Sequence, residues 1–291
     1  MISKIDVSII IVFFSGKEKL LECFESIKNH KSNYSLEVIV VNNGVEKIES
    51  DIKHTIPNIH SIKSPKNGGY GYGNNLGAEK AKGKYLFILN PDTKLISHAI
   101  DILGVYLDKH PSTAIVSPIL VDWKQFPYEL QGTETLTPPR GAVAHSFLNK
   151  LFPNNFISRK FYLKNISRDV VHEVGTVPGS AFMIRKDVFH EVGRFDENIF
   201  MFYEEADLGK RVQNAGYTIA MHPKAHVIHY WVNKKKGDAK MASIAAKSRF
   251  YYFKKHYGLP SALFVEFFCR FSKRKALIAG AILLAVLLVY I

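Results

Sequence analysis

Lys84-Tyr-Leu-Phe-Ile-Leu-Asn-Pro-Asp-Thr93 decides how this chain folds. Its five consecutive apolar residues, Tyr85 to Leu89, have the composition of a strand buried on both faces of a parallel sheet. Pro91 cannot donate to a neighbouring strand and Asn-Pro favours a turn, so the ladder is expected to end there, with Asp92 at the strand's carboxyl edge. In open α/β sheets that edge is where ligands bind.

Upstream, Val7 to Phe14 is a β-branched and aromatic run, too short to cross a bilayer and suited to a central strand. Ser15-Gly16-Lys17-Glu18 has the Ser-x-x-Glu spacing of a capping box, and Leu20, Leu21, Phe24 and Ile27 then share one helical face. Val38 to Val41 predicts a second buried strand, ended by Asn42-Asn43-Gly44, and Ile59 to Lys63 a third. Strand, helix and strand with short connections imply a mostly parallel sheet wound through right-handed crossovers and flanked by helices.

Asn67-Gly-Gly-Tyr-Gly-Tyr-Gly-Asn-Asn75 leads into a helix through Leu76, Ala78 and Ala81. Glycines such as Gly68 and Gly69 let backbone come close to a ligand, and a helix N-terminus favours phosphate, although a ligand-free turn has the same composition. The spacing gives neither G-x-G-x-x-G nor a Walker Lys-Ser/Thr, which disfavours a dinucleotide fold or a P-loop.

Downstream, Ser97 to His110 predicts an amphipathic helix and Ala114 to Ser117 a strand. Asp122 to Asp169 mixes Pro127, Pro138, Pro139 and Pro153 with scattered aromatics and no sustained period. Such a long excursion over the sheet is the kind that forms lids or substrate loops. Val177 to Ile184 resumes strand character and Arg185 to Val192 predicts a short helix. An aromatic segment then precedes Glu204, Glu205 and Asp207, acids that suit a helix's first turn, and Asp207 and Arg211 lie one turn apart and can pair.

The 291 residues can bury a substantial core, as one large domain or one domain with an appendage. Of the formal charge of +13, a net +11 falls between Lys224 and Lys275, where thirteen Lys and Arg face only Asp238 and Glu266. A run of this kind suggests an anionic partner such as phosphate, a membrane surface or nucleic acid. Cys23 and Cys269 have no metal-type spacing and suit a reducing compartment. Met1 to Asp6 enters a strand directly, without the apolar core of a signal peptide, which argues against export.

Asp92 after Asn-Pro has the chemistry of a turn or cap residue as well as that of a ligand. As a ligand it would hold a divalent cation, Mg²⁺ or Mn²⁺, on a diphosphate, because phosphates and waters complete the octahedron around few protein oxygens. Glu204, Glu205 and Asp207 read either as a solvated, dipole-complementing helix start or as the source of one carboxylate that deprotonates an acceptor hydroxyl. His222, His226 and His229 in an extended segment cannot converge on one ion, but one of them could join Asp92.

Taken in order, the motifs resemble family 2 glycosyltransferases, most closely the rhamnosyltransferase-like branch. They are Val7–Val12, Val40-Val-Asn-Asn43, Asn67-Gly-Gly-Tyr-Gly71 with Asn74-Asn75, Leu89-Asn-Pro-Asp-Thr93, Gly179-Ser-Ala-Phe-Met-Ile-Arg185, Gly193-Arg-Phe-Asp196 and Phe200–Leu208. The resemblance spans about residues 5 to 232 and implies a GT-A fold with inverting, metal-dependent transfer from a nucleotide-diphosphate sugar. By position it implies Asp92 as metal ligand with His229, Glu205 as base supported by Glu204 and Asp207, and donor contacts from Asn42, Asn67, Gly68, Gly69, Asn75 and Asn90. Gly179 and Ser180 fall on the acceptor side. Asn42 and Asn90 stand where many members carry acids, and Glu205 where Asp is more usual. Rhamnose is the leading sugar, the donor dTDP- or UDP-linked, and the acceptor a glycan or lipid-linked sugar of cell-surface polysaccharide synthesis.

The expected organisation is a GT-A domain at 1–232 and a basic helical region at 233–291. Leu259-Pro260-Ser261 opens a helix with Leu263, Phe264, Phe267, Phe268 and Phe271 on one face, followed by Arg270 and Lys273-Arg274-Lys275. Ala276 to Ile291 then carries no charge; at ~1.5 Å per residue it reaches ~24 Å, short of a ~30 Å hydrocarbon core. A marginal span, an anchor in one leaflet and a buried or oligomeric helix all fit this length. The adjacent Lys and Arg favour the cytoplasmic face of the cell membrane, held peripherally or monotopically. Competing classes are a sugar-phosphate nucleotidylyltransferase, which would place a basic Gly-rich signature close after the first strand, and a basic nucleic-acid-binding module. The charge lies beside an apolar tail without a recognition motif, so nucleic acid is not the expected partner.

Overall fold

The computed structural model describes residues 5–52, 55–129, 131–152, 154–230 and 238–270. In chain order the elements are β1 (Val7–Phe13), α1 (Lys17–Asn29), β2 (Leu36–Asn42), α2 (Glu49–Ile52), β3 (Ile59–Lys63), α3 (Tyr70–Lys80) and β4 (Tyr85–Leu89). There follow β5 (Thr93–Ile96), α4 (Ala99–Lys109), β6 (Thr113–Val121), α5 (Pro138–Ala144), α6 (Phe147–Leu151) and α7 (Phe156–Phe161). The last are β7 (His172–Glu173), β8 (Ala181–Arg185), α8 (Lys186–Glu191), α9 (Glu204–Asn214), β9 (Thr218–His229) and α10 (Ala239–Arg270). They form two compact units, residues 1–135 with 166–248 and residues 136–165 with 249–291.

The first unit is built on one sheet in the order β3-β2-β1-β4-β8-β6-β9-β5, with β7 added to β9. β4 is buried at all five positions, as its unbroken apolar run requires of a strand covered on both faces. The expected parallel arrangement holds from β3 through β4. β8 then enters antiparallel to both β4 and β6, so the complete sheet is mixed. Hydrophobic runs specify burial on two faces but carry no information about strand direction.

Three local expectations change. Pro91 interrupts the chain without ending its participation in the sheet, because β5 begins two residues later and pairs antiparallel with β9. The capping box does not form: Gly16, in the left-handed region at φ 91°, is the N-cap of α1, and no side chain caps it. Residues 138–161 are not irregular, since three helices of five to seven residues occupy them. Helices so short never complete two turns, so no period shows in the sequence.

The glycine-rich segment is mostly helix. α3 begins at Tyr70 after Gly69, whose φ of 92° few side chains tolerate. A Cβ on Gly69 would lie 2.0 Å from the carbonyl oxygen of Phe200, and one on Gly73 would lie 2.7 Å from the Val12 side chain. These glycines therefore bring α3 against β1 and the 200 segment. β6 contains Pro118 at a register shift, where the missing N–H costs no ladder bond, and β9 steps from His222 to His226 opposite it.

In the second unit the Tyr252 and Tyr257 hydroxyls both donate to Leu136 O, at 2.8 and 2.9 Å. Glu266 is buried between Arg249 and Arg270, at 2.7 and 2.8 Å. α10 breaks at Gly258 (φ 83°, ψ 168°), and Pro260 falls in the first turn of its second segment, where its missing N–H is harmless. Ala262 and Val265 of that segment are buried, whereas Leu259, Leu263, Phe264 and Phe267 form an exposed stripe. Among the described residues no helix is long and apolar enough to cross a membrane. The expected boundary at 232/233, Phe271, Lys273-Arg274-Lys275 and the apolar run 276–291 lie outside the described residues.

Candidate active site

The ends of two ladders meet at Asn90-Pro91-Asp92. The Asn90 N–H donates to Ser180 O at 2.9 Å, extending β4 toward the residue before β8, and the Tyr230 N–H donates to Asp92 O at 2.9 Å, extending β9. The Thr93 hydroxyl tightens the turn by donating to Asn90 O at 2.7 Å. Cys23 packs beneath it, and burial pushes this thiol up to about 12, so it is inert at neutral pH.

Asp92 and His229 come together across the sheet. His229 Nε2 lies 3.4 Å from Asp92 Oδ1, and its Nδ1 lies 3.4 Å from Ser180 Oγ. The register explains this: Thr93 pairs with His229, so the residue before Thr93 shares that edge. β9 is extended from Thr218 to His229, which separates His226 from His229 as the pattern predicts.

Ser180 also adjoins the second group. A Cβ on Gly179 would lie 1.7 Å from Glu205 Oε1, so only glycine lets this carboxylate pack against the strand entry. The Tyr70 hydroxyl donates to Gly179 O. The dipeptide Gly179-Ser180 thus touches the base candidate with one residue and the Asp92–His229 pair with the next. Phe202 and Tyr203 reach α9 through two consecutive left-handed conformations, φ 68° and 72°, unusual for bulky residues and a form of strain found at functional sites.

The two adjacent acids have different environments. Glu204 is 3% exposed, and its Oε2 has no hydrogen-bond partner among the described residues. Burial, with the neighbouring Glu205 charge, raises its pKa well above the carboxylate range. Glu205 is less enclosed, and burial raises it to about 7. Burial, and then the charges of Glu205 and Glu204, raise Tyr70 well above its ordinary value, so its hydroxyl remains a donor. Asp207 is fully buried and accepts from Arg211 Nε and Nη2 at 2.9 and 2.7 Å, fulfilling the one-turn pairing. Removing one partner of such a buried pair costs about 3–5 kcal/mol, which makes Asp207 an anchor of the helix that carries Glu205.

The asparagines are hydrogen-bonded to neighbouring protein groups. Asn42 donates to Glu46 O at 2.8 Å and to Glu49 Oε1 at 3.3 Å while accepting from the Gly44 N–H at 3.0 Å. Asn67 accepts from the Gly69 N–H at 3.2 Å. Asn75 clamps Phe195 through bonds of 3.0 and 3.1 Å to its carbonyl and N–H, and donates to Glu197 at 2.9 Å. Asn90 takes part through its main chain. Gly68 lies against the Tyr72 ring. Tyr70 has no signature in the sequence, because an aromatic inside a glycine run carries no spacing signal.

Among the described residues no group of three or more His, Cys, Asp and Glu side chains could hold a metal ion. Asp92 and His229 supply one carboxylate and one imidazole at one point. That donor set fits a divalent cation when diphosphate oxygens and waters fill the remaining positions.

Residues 8–193 match the model of Glycosyl transferase family 2. The chain belongs to this family. As a family 2 member it is 25% identical over 148 residues to the N-acetylglucosaminyl-diphospho-decaprenol L-rhamnosyltransferase of Mycobacterium tuberculosis, covering 50% of this chain and 47% of that protein. It is 28% identical over 231 residues to a low-salt glycan biosynthesis hexosyltransferase of Haloferax volcanii, covering 77% and 67%. A third relative, the teichoic acid poly(glycerol phosphate) polymerase of Staphylococcus epidermidis, is 29% identical over 118 residues; the match spans only 16% of its length. The chain has the GT-A fold. GalNAc-T7 with UDP, GalNAc and Mn²⁺ superposes at a TM-score of 0.61 over 88% of this chain and 51% of that one, at 15% identity. The mannosyltransferase PcManGT of Pyrobaculum calidifontis, in complex with GDP-Man and Mn²⁺, gives 0.58 over 98% and 81%, at 14% identity.

Proposed function

We propose that this chain is an inverting, metal-dependent glycosyltransferase that moves a sugar from a nucleotide-diphosphate donor to a hydroxyl of a glycan or lipid-linked acceptor. The observation that carries the reading is the Gly179-Ser180 hinge, which joins a carboxylate of raised pKa to an Asp–His pair. Rhamnose is the proposed sugar and dTDP or UDP the carrier, supported by similarity to the mycobacterial rhamnosyltransferase.

Glu205 takes the proton of the acceptor hydroxyl onto its carboxylate as that oxygen attacks the anomeric carbon. The bond to the donor diphosphate breaks on the opposite face, which inverts the centre. Gly179 gives Glu205 room, and Tyr70 fixes Gly179 by bonding its carbonyl. Asp92 and His229 would hold the cation, and Ser180 lies against the second nitrogen of the ring. When bound there, Mg²⁺ or Mn²⁺ supplies positive charge beside the diphosphate.

A donor panel tests this reading. Incubation of dTDP- and UDP-sugars with Mn²⁺ or Mg²⁺ should release TDP or UDP, and chelation with EDTA should suppress that release. Pyrophosphate release from a nucleoside triphosphate and a sugar phosphate would instead assign a nucleotidylyltransferase.

We further propose that the second unit docks on the cytoplasmic face of an anionic membrane. The exposed stripe Leu259, Leu263, Phe264 and Phe267 on α10 supports this, together with the excess of Lys and Arg between 249 and 275, where seven face only Glu266. Leu263→Glu with Phe267→Glu should lower partition into phosphatidylglycerol vesicles about tenfold or more, and higher salt should weaken it further. Full retention in the vesicle pellet after removal of 259–291 would reject the proposal.

A further inference from the structure

β6 ends at Val121, whose partner is Ile228, so the chain leaves the sheet one residue away from His229. The loop that follows is tightly bonded. Asp122 Oδ1 accepts from the N–H groups of Lys124 and Phe126, both at 2.9 Å, and the Asp122 N–H donates to Phe126 O at 2.9 Å. Gln125 at the tip is left-handed, φ 65°, and Pro127 returns to pair with Val121. Gln131 closes the base, accepting from the Leu120 N–H at 2.7 Å and donating to the carbonyls of Leu120 and Tyr128, each at 3.1 Å. The Tyr128 hydroxyl donates to His229 O at 2.8 Å. Register and side chain therefore both tie the loop to the residue that stands beside Asp92.

This loop displays Trp123 and Phe126, 68% and 66% exposed. Large aromatic surfaces held in water next to a polar site mark a binding surface, because covering them is favourable and the fixed loop has little freedom to lose. The Lys124 ammonium lies 4.9 Å from the Trp123 ring centroid, which sets a cation beside the indole.

We propose that Trp123 and Phe126 form a subsite for a sugar ring of the acceptor, with Lys124 meeting an anionic group such as a diphosphate attached to it. The inference rests on the glycosyl-transfer reading above. One face of a pyranose presents C–H bonds with partial positive charge, which suits the electron-rich face of an indole. Tryptophan offers that area with only two side-chain torsions to immobilise. A lipid surface would also accept Trp and Phe. The sugar is favoured because this loop belongs to the unit that carries Asp92 and Glu205 and springs from beside His229.

Of the two tryptophans in the chain, Trp231→Phe leaves Trp123 as the sole indole fluorophore. That protein, loaded with donor and Mn²⁺, is titrated with water-soluble alkyl diphosphates of N-acetylglucosamine, glucose and galactose, with nucleotide release followed in parallel. A saturable emission change with at least one sugar is expected, and none with sugar-free phosphatidylglycerol vesicles. Trp123→Ala should raise the acceptor KM about tenfold, with Trp123→Phe recovering part of it and donor Kd moving less than about twofold. An emission change with sugar-free vesicles and none with the sugars overturns the subsite in favour of a membrane contact. So does an unchanged acceptor KM in Trp123→Ala, or the absence of any emission response. Saturable emission without nucleotide release keeps the subsite and rejects glycosyl transfer, whereas release without an emission response does the reverse.

Discussion

Glu205→Gln is expected to bind donor as the native chain does and to lose sugar transfer by about 10²–10⁴-fold, the range that a positioned general base supplies. The substitution keeps the shape that packs against Gly179 and removes only the ability to take a proton. Glu204 cannot replace it: that carboxyl is enclosed, and burial with the Glu205 charge keeps its proton on. The pH profile gives a second reading. Because burial lifts Glu205 to about 7, its basic form fills as pH rises through that value. Transfer by the native chain should therefore fall about tenfold per unit below pH 7 and level off above it. The Gln variant should lose that inflection. Glu205→Asp should retain part of the rate, since a shorter carboxylate still accepts a proton from a less favourable position. Full turnover by Glu205→Gln, measured as acceptor-dependent nucleotide release, would assign the base to another acid.

The sequence reveals those parts of the fold in which one residue type repeats under one constraint. β1, β2 and β4 are legible because a strand covered on both faces must be apolar at almost every position. β5 is not, since four residues of mixed burial directly after Asn-Pro-Asp look like the continuation of a turn. Gly16 displaces Ser15 as the cap of α1 because a left-handed glycine satisfies the chain's direction of entry, which the Ser-x-x-Glu spacing does not encode. The antiparallel entry of β8 likewise depends on where the 122–169 excursion returns the chain, a tertiary fact with no local trace.

The site divides along the same line. Asp92 stands out locally as an acid behind a strand and a proline. Its partner His229 is 137 positions later, and only the ordered resemblance to family 2 joins them. Register then explains the meeting, since β5 and β9 pair Thr93 with His229. Asn42, Asn67 and Asn75 could not be sorted from sequence, because an amide that clamps a loop and an amide that contacts a donor are the same residue type in the same kind of segment. Their hydrogen bonds to protein groups become visible only in three dimensions.

Asp92→Asn isolates the cation site from the fold. The main-chain carbonyl of Asp92, and not its carboxylate, accepts the bond that continues β9, and the side chain is 27% exposed. Exchanging one oxygen for an amide should leave the melting temperature within a few degrees of the native value. The carboxylate lies 3.4 Å from His229 Nε2, so removing it halves the pair proposed to hold the cation. Donor binding in the presence of Mn²⁺ should weaken to the level seen with EDTA, and transfer should fall about 10²–10³-fold or more, comparable to losing one preorganised group that stabilises developing charge. Asp92→Ala should give the same loss, which separates charge from shape. Calorimetric titration of donor with and without Mn²⁺ distinguishes the possible outcomes. If both variants keep native turnover and native metal dependence, Asp92 is a turn residue and the cation site must be sought elsewhere. If instead donor affinity becomes insensitive to Mn²⁺ while thermal stability is preserved, the carboxylate behind Asn90-Pro91 acts through the cation, as its position beside His229 requires.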